Sequence, residues 1–141
     1  MFVGCDNCIV KNNHIHDCVL MNYKDNHTDE EGWGQSLCVG NTSGLYLGKN
    51  NLVENNIVTE SWGEGIDIGH CDGCLVRNNT IRNAYGTMLY VDRTTNSIFE
   101  RNFIYITTDE FSKNNKTERA VGIGIGTEGE GYNRVNTSIS Q

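Results

Sequence analysis

Two segments 23 residues apart, IDIGH (66–70) and LYVDR (89–93), hold most of the reactive side chains of this sequence. Aligning them sets Asp67 against Tyr90, Gly69 against Asp92 and His70 against Arg93. Two carboxylates on neighbouring strands, one with a raised and one with an ordinary pKa, are what acid–base chemistry on a glycosidic bond needs. His70 or Tyr90 could move the proton, and Arg93 could clamp a uronate carboxylate through two parallel hydrogen bonds. The catalytic expectation is therefore Asp67, His70, Asp92 and Arg93. Tyr90, Trp62 and Tyr85 are expected to bind substrate by stacking on sugar rings. The competing reading is a solvated, charged strand face on which Asp92 and Arg93 decorate a turn, with Trp33, Trp62 and Tyr85 forming a packing ladder.

Other clusters admit chemistry too. Cys5-x-x-Cys8 and Cys71-x-x-Cys74 look like two halves of a zinc site. If they lie two repeats apart, about 10 Å separates them, too far for one tetrahedral ion. Reduced, buried cysteines acting as small hydrophobes are the alternative, and Cys18 fits that role as a packed free thiol. His14 and His16 flank Ile15, so both project from one strand face about 7 Å apart. With Asp17 beside them they could bind a transition metal, or be a surface pair. The acidic run DNHTDEE (25–31) has enough oxygen ligands for calcium but not the spacing of an EF-hand loop. The metal ligands thus stay undetermined, with calcium as the one cofactor expectation. GIGIG (122–126) is no phosphate loop, because no helical pattern follows it.

These residues are positioned by a repeat. LVRNNTI (75–81) recurs 23 residues later as IFERNFI (98–104), and earlier as LVENNIV (52–58) and IVKNNHI (9–15). WGEGIDIG (62–69) recurs as YGTMLYVD (85–92), with WGQSLCVG (33–40) before it and a weaker AVGIGIG (120–126) after. Apolar residues alternate at period two, the strand signature, and no helical stripe is sustained. A unit of about 20–25 residues cannot bury its apolar face alone, so neighbours must stack on it. Stacking predicts four inward rows: Leu37, Ile66, Leu89, Ile123; Val39, Ile68, Val91, Ile125; Val10, Val53, Val76, Phe99; and Ile15, Val58, Ile81, Ile104. Asn13, Asn56, Asn79 and Asn102 fall in one corner row, where asparagine tolerates left-handed backbone and can bond to the coils above and below. The absence of proline suits interior strands that must donate every amide.

The repeated VxNN and WGxGI units resemble the right-handed parallel β-helix family of the pectate-lyase-like superfamily over nearly the whole chain. The resemblance implies an all-β fold, a single solenoid of about five coils over residues 1–141, with loop insertions at one corner. It also implies a polysaccharide groove on the strand face that carries Asp67 and Asp92, served by calcium-bound or paired carboxylates. The functional expectation is a carbohydrate-directed module, a polysaccharide lyase or glycoside hydrolase. The alternative is a non-catalytic surface or adhesion repeat, or a fragment without activity. An extracellular or cell-surface setting follows from the resemblance, although no signal peptide is visible.

Length, charge and loops bound the rest. At 141 residues the chain fits one domain, and a net charge of −7 lacks the basic face that a nucleic-acid partner requires. No run approaches the ~18 apolar residues of a membrane span. Extra residues at roughly 19–32 and 108–118 enter at the same corner and would wall a groove; about six more lie around 44–49. The first and last units carry no cap, so the chain is expected to be a piece of a longer solenoid or to self-associate through its ends.

Overall fold

A computed structural model describes residues 2–3, 6–20, 22, 34–40, 47–108, 110–111, 121–127 and 136–140. Among them run sixteen strands: β1 (Phe2–Val3), β2 (Ile9–Lys11), β3 (His14–Cys18), β4 (Gln35–Gly40), β5 (Gly48–Lys49), β6 (Leu52–Glu54), β7 (Ile57–Ser61), β8 (Glu64–Gly69), β9 (Cys71–Asp72), β10 (Leu75–Arg77), β11 (Thr80–Ala84), β12 (Thr87–Asp92), β13 (Thr95–Glu100), β14 (Phe103–Tyr105), β15 (Val121–Gly126) and β16 (Asn136–Ser140). Every pairing is parallel, and partners lie one repeat apart rather than next in sequence. Three sheets result: β1-β4-β8-β12-β15, β2-β6-β10-β13 with β16, β9 and β5, and β3-β7-β11-β14. Short apolar runs with turns between them can satisfy parallel ladders only by winding, and the fold is a right-handed parallel β-helix.

The predicted rows hold in register. Leu37 pairs with Ile66, Ile66 with Leu89 and Leu89 with Ile123. Val10, Val53, Val76 and Phe99 align, as do Ile15, Val58, Ile81 and Ile104. The middle of each row is sealed and forms one continuous core. Ile123 and Ile125 are about half exposed, because β15 ends its sheet among the described residues.

The corners divide the work that sequence reading assigned to one asparagine. The left-handed residue is the first of each pair: Asn12, Asn55 and Asn78, with Arg101 in the fourth coil, have φ between 53° and 58°. The second asparagine builds the ladder with ordinary φ. Asn79 Oδ1 accepts from the Asn56 amide nitrogen (2.9 Å) and from Asn56 Nδ2 (3.0 Å). Asn79 Nδ2 donates to Val53 O (3.0 Å) and to Asn102 Oδ1 (2.9 Å). The same pattern links Asn13 to Asn56, so amides that turn inward at this corner all find acceptors.

One expectation is corrected. Cys71 and Cys74 are joined in a disulfide, and Cys8 is disulfide-bonded as well, so these are not reduced, packed thiols. The two cysteine Cα atoms lie 6.1 Å apart, within the span such a bond bridges. Cys18 and Cys38 are free, as expected for Cys18; Cys38 is buried, whereas Cys18 is half-buried with its thiol donating to His16 O at 3.5 Å. The expected groove walls lie mostly outside the described residues, as does the acidic run at 25–31. Their described roots fold onto one aromatic cluster: Phe111 and Trp62 rings lie 4.7 Å apart, Val19 packs beside them, and Asn22 Nδ2 donates to Trp62 O (3.0 Å). Glycine is required beside that cluster, since a Cβ at Gly63 would strike the Gly34 carbonyl of the preceding coil.

Candidate functional site

Strict alternation along β4, β8 and β12 sends Cys38, Asp67 and Tyr90 outward in one row, with Gly124 next. Asp67 and Tyr90 are half-buried side by side. The Cys38 thiol donates to Asp67 Oδ2 at 3.6 Å. Burial, reinforced by the Asp67 charge and that hydrogen bond, pushes the Cys38 thiol up to about 12, so it stays protonated. Tyr90 does not stand off the sheet. A Cβ at Gly124 would touch its ring and one at Gly126 its hydroxyl, so the side chain lies along the next coil over two glycines.

The neighbouring corner gathers three of the predicted catalytic residues. His70 and Arg93 occupy left-handed positions, with φ of 51° and 48°, and their backbone amides donate to Asp92 O and Gly126 O. Their side chains converge on Asp92 Oδ2, His70 Nε2 at 3.5 Å and Arg93 Nε at 3.6 Å. His70 and Asp92 are buried, at 7% and 9% exposure. Burial lowers the His70 pKa below 6.5, Arg93 adds to this, and Asp92 opposes it without prevailing. Asp92 thus faces two basic side chains. Asp67 sits one strand over and two residues back, about 8 Å away along the backbone. Trp62 and Tyr85, expected to stack on sugar, are 6% and 3% exposed and pack on each other at 5.7 Å. Their ring faces are covered by protein.

A second outward surface lies on β3, β7, β11 and β14. His14 and His16 project together from β3, ring centroids 4.9 Å apart. Asp17 Oδ2 contacts His16 Nδ1 at 2.8 Å, and Thr59 Oγ1 lies 3.4 Å from His14 Nε2. At the far end of the same sheet, Phe103 (64% exposed) and Tyr105 sit 4.8 Å apart, two rings that sequence reading passed over. The signal was present: both flank Ile104, whose inward place in the repeat turns them outward. Between these ends, Arg82 donates to Glu60 Oε1 at 2.7 Å.

No curated protein and no solved structure gives a significant match to this chain. The family model described as periplasmic copper-binding protein (NosD) matches residues 1–137. That match covers nearly the whole chain, from β1 into the start of β16, and the chain belongs to the NosD family.

Proposed function

We propose that this chain is a non-catalytic binding module, a rigid β-helix that holds a copper ion on the outward face of β3. The observation that carries the reading is the pair His14 and His16, two exposed imidazoles on one strand face with ring centroids 4.9 Å apart. Imidazole nitrogen suits copper. A carboxylate on one ring nitrogen fixes the tautomer and strengthens the other as a ligand, which is the role open to Asp17 at 2.8 Å from His16 Nδ1. That contact and the Thr59 hydroxyl leave Nε2 of His16 and Nδ1 of His14 for the metal. Among the described residues no three of His, Cys, Asp and Glu converge. The donor set therefore fits an open, water-completed site rather than a closed cage. Bound copper would supply exchangeable coordination positions, while the chain's own residues orient and hold it. The family description favours copper over the calcium expected from the acidic loop.

The test is titration of the folded chain with Cu(II), followed by visible absorbance and electron paramagnetic resonance. One equivalent bound through imidazole nitrogen is expected. His14→Ala or His16→Ala alone should weaken binding and reduce the nitrogen coupling to that of one imidazole, the double variant should abolish it, and Asp17→Asn should weaken affinity about 10- to 100-fold. Copper uptake that survives both histidine substitutions would sink the assignment.

The carbohydrate-directed reading, with kinship to pectate-lyase-like enzymes, keeps one specific support: Asp67 and Tyr90 lie half-buried at one register on the outward face. The two readings part on glycan turnover. A binding module gives none on any acidic or neutral polysaccharide. An enzyme would lose its turnover in Asp67→Asn and Asp92→Asn while remaining folded.

A further inference from the structure

The outer face of the sheet formed by β2, β6, β10 and β13 carries two rows, one that reads the same in both directions and one whose charges invert on reversal. Ile9, Leu52, Leu75 and Ile98 stack in register, one per coil, and point away from the core. Ile9 and Ile98 are 62% and 47% exposed, and the two leucines between them are half-buried. Two residues along each strand runs a second row, Lys11, Glu54, Arg77 and Glu100, whose charges alternate plus, minus, plus, minus. Among the described residues only the middle of this row closes, with Arg77 Nε donating to Glu54 Oε1 at 2.6 Å. In β16 the next register positions are Ser138 and Ser140, so among the described strands both rows are four residues long.

We propose that a second copy of this chain docks on this face, related by a two-fold axis parallel to the strands, so that the two solenoids run antiparallel. Such an axis keeps each row opposite itself and reverses the order of the coils. Ile9 then meets Ile98 of the other copy, and Leu52 meets Leu75. In the second row Lys11 meets Glu100, and Glu54 meets Arg77, opposite charges at all four heights. With the axis along the solenoid instead, the apolar row would lie across from the charged one. An isologous interface must be self-complementary, and an apolar row that is a palindrome beside a charge row that is antisymmetric satisfies this.

Sedimentation velocity across a concentration series, with and without added salt, tests the proposal. A monomer–dimer equilibrium that weakens with salt is expected. Ile98→Glu should abolish the dimer while leaving the circular dichroism spectrum and melting unchanged, since the side chain faces outward. Lys11→Glu alone and Glu100→Lys alone should each raise the dissociation constant about tenfold or more, by setting like charges opposite one another. The double variant Lys11→Glu/Glu100→Lys should restore it, because the antiparallel arrangement pairs these two positions. A chain that stays monomeric up to several hundred micromolar would overturn the proposal. So would a dimer that survives Ile98→Glu, which would point to pairing through the solenoid ends. A double variant no better than the singles would exclude the antiparallel axis.

Discussion

Asn78 and Asn79 are adjacent and chemically identical, yet their substitutions should behave differently. Asn79 is buried, and its side chain serves the coils on both sides. In Asn79→Ala the Asn56 amide donors lose their acceptor inside the protein, and each buried group so stranded costs about 1–3 kcal/mol. Urea denaturation should show a loss of roughly 3 kcal/mol in total. Asn78 is exposed, and its φ of 54° is its contribution. Asn78→Gly should leave stability within about 0.5 kcal/mol of the wild type, whereas Asn78→Val should lose about 1–2 kcal/mol to left-handed strain. Cys38 gives a prediction in the same range of scale. With its thiol pushed up to about 12 by burial and by Asp67, native protein at pH 8 should resist iodoacetamide at this position. Mass spectrometry of the alkylated chain reads this directly.

Each strand of the β-helix is too short to be stable alone, and its inward residues are shared with the coils above and below. Ile66 lies between Leu37 and Leu89 and is fully buried. Ile66→Ala removes contacts to both neighbours at once, and a rigid stack collapses poorly around the cavity. A loss of about 2–5 kcal/mol is expected, read from a shift of the denaturation midpoint at unchanged slope. The aromatic row shows how an element can mislead a functional reading. Trp62 and Tyr85 recur at the repeat period beside the candidate groove, as sugar-stacking rings would. Their neighbours Val19 and Phe111 come from outside the repeat, so their coverage could not be inferred from the period.

Acid should destabilise the whole molecule in two stages. His70 is held below 6.5 in the fold by burial and by Arg93. As pH falls below 6.5 the unfolded chain protonates this ring before the folded one does, so stability declines until the folded ring also protonates. Burial alone would raise the Glu60 carboxyl, but hydrogen bonds from Thr59, Asn83 and Arg82 outweigh it and hold it below 4.5. Asp72 is held below 3.8 by hydrogen bonds from Asn96 and Thr95. These two contribute stability above their unfolded values and lose it as pH falls through the lower, folded ones. Melting temperature should therefore be flat between pH 7 and 8, drop as pH falls below about 6.5, and drop again below about 4.5. His70→Gln should remove the upper step and leave the lower one.

The repeat period and its alternation, read from sequence, determined the solenoid, the four inward rows and the outward positions of Asp67 and Tyr90. They suffice because a parallel stack translates a fixed sequence spacing into a fixed spatial neighbour. The same logic made the outward pair His14 and His16 legible. Tertiary structure decided what occupies each outward side chain. Whether Asp92 faces a second carboxylate or the basic side chains of His70 and Arg93 depends on a left-handed corner. Whether Tyr90 projects or lies flat depends on glycines in the next coil, and whether Trp62 is open depends on residues from two insertions. The cysteine pairing was also settled in three dimensions, because two thiols three residues apart can be ligands, packed groups or a bond, and only the backbone between them chooses.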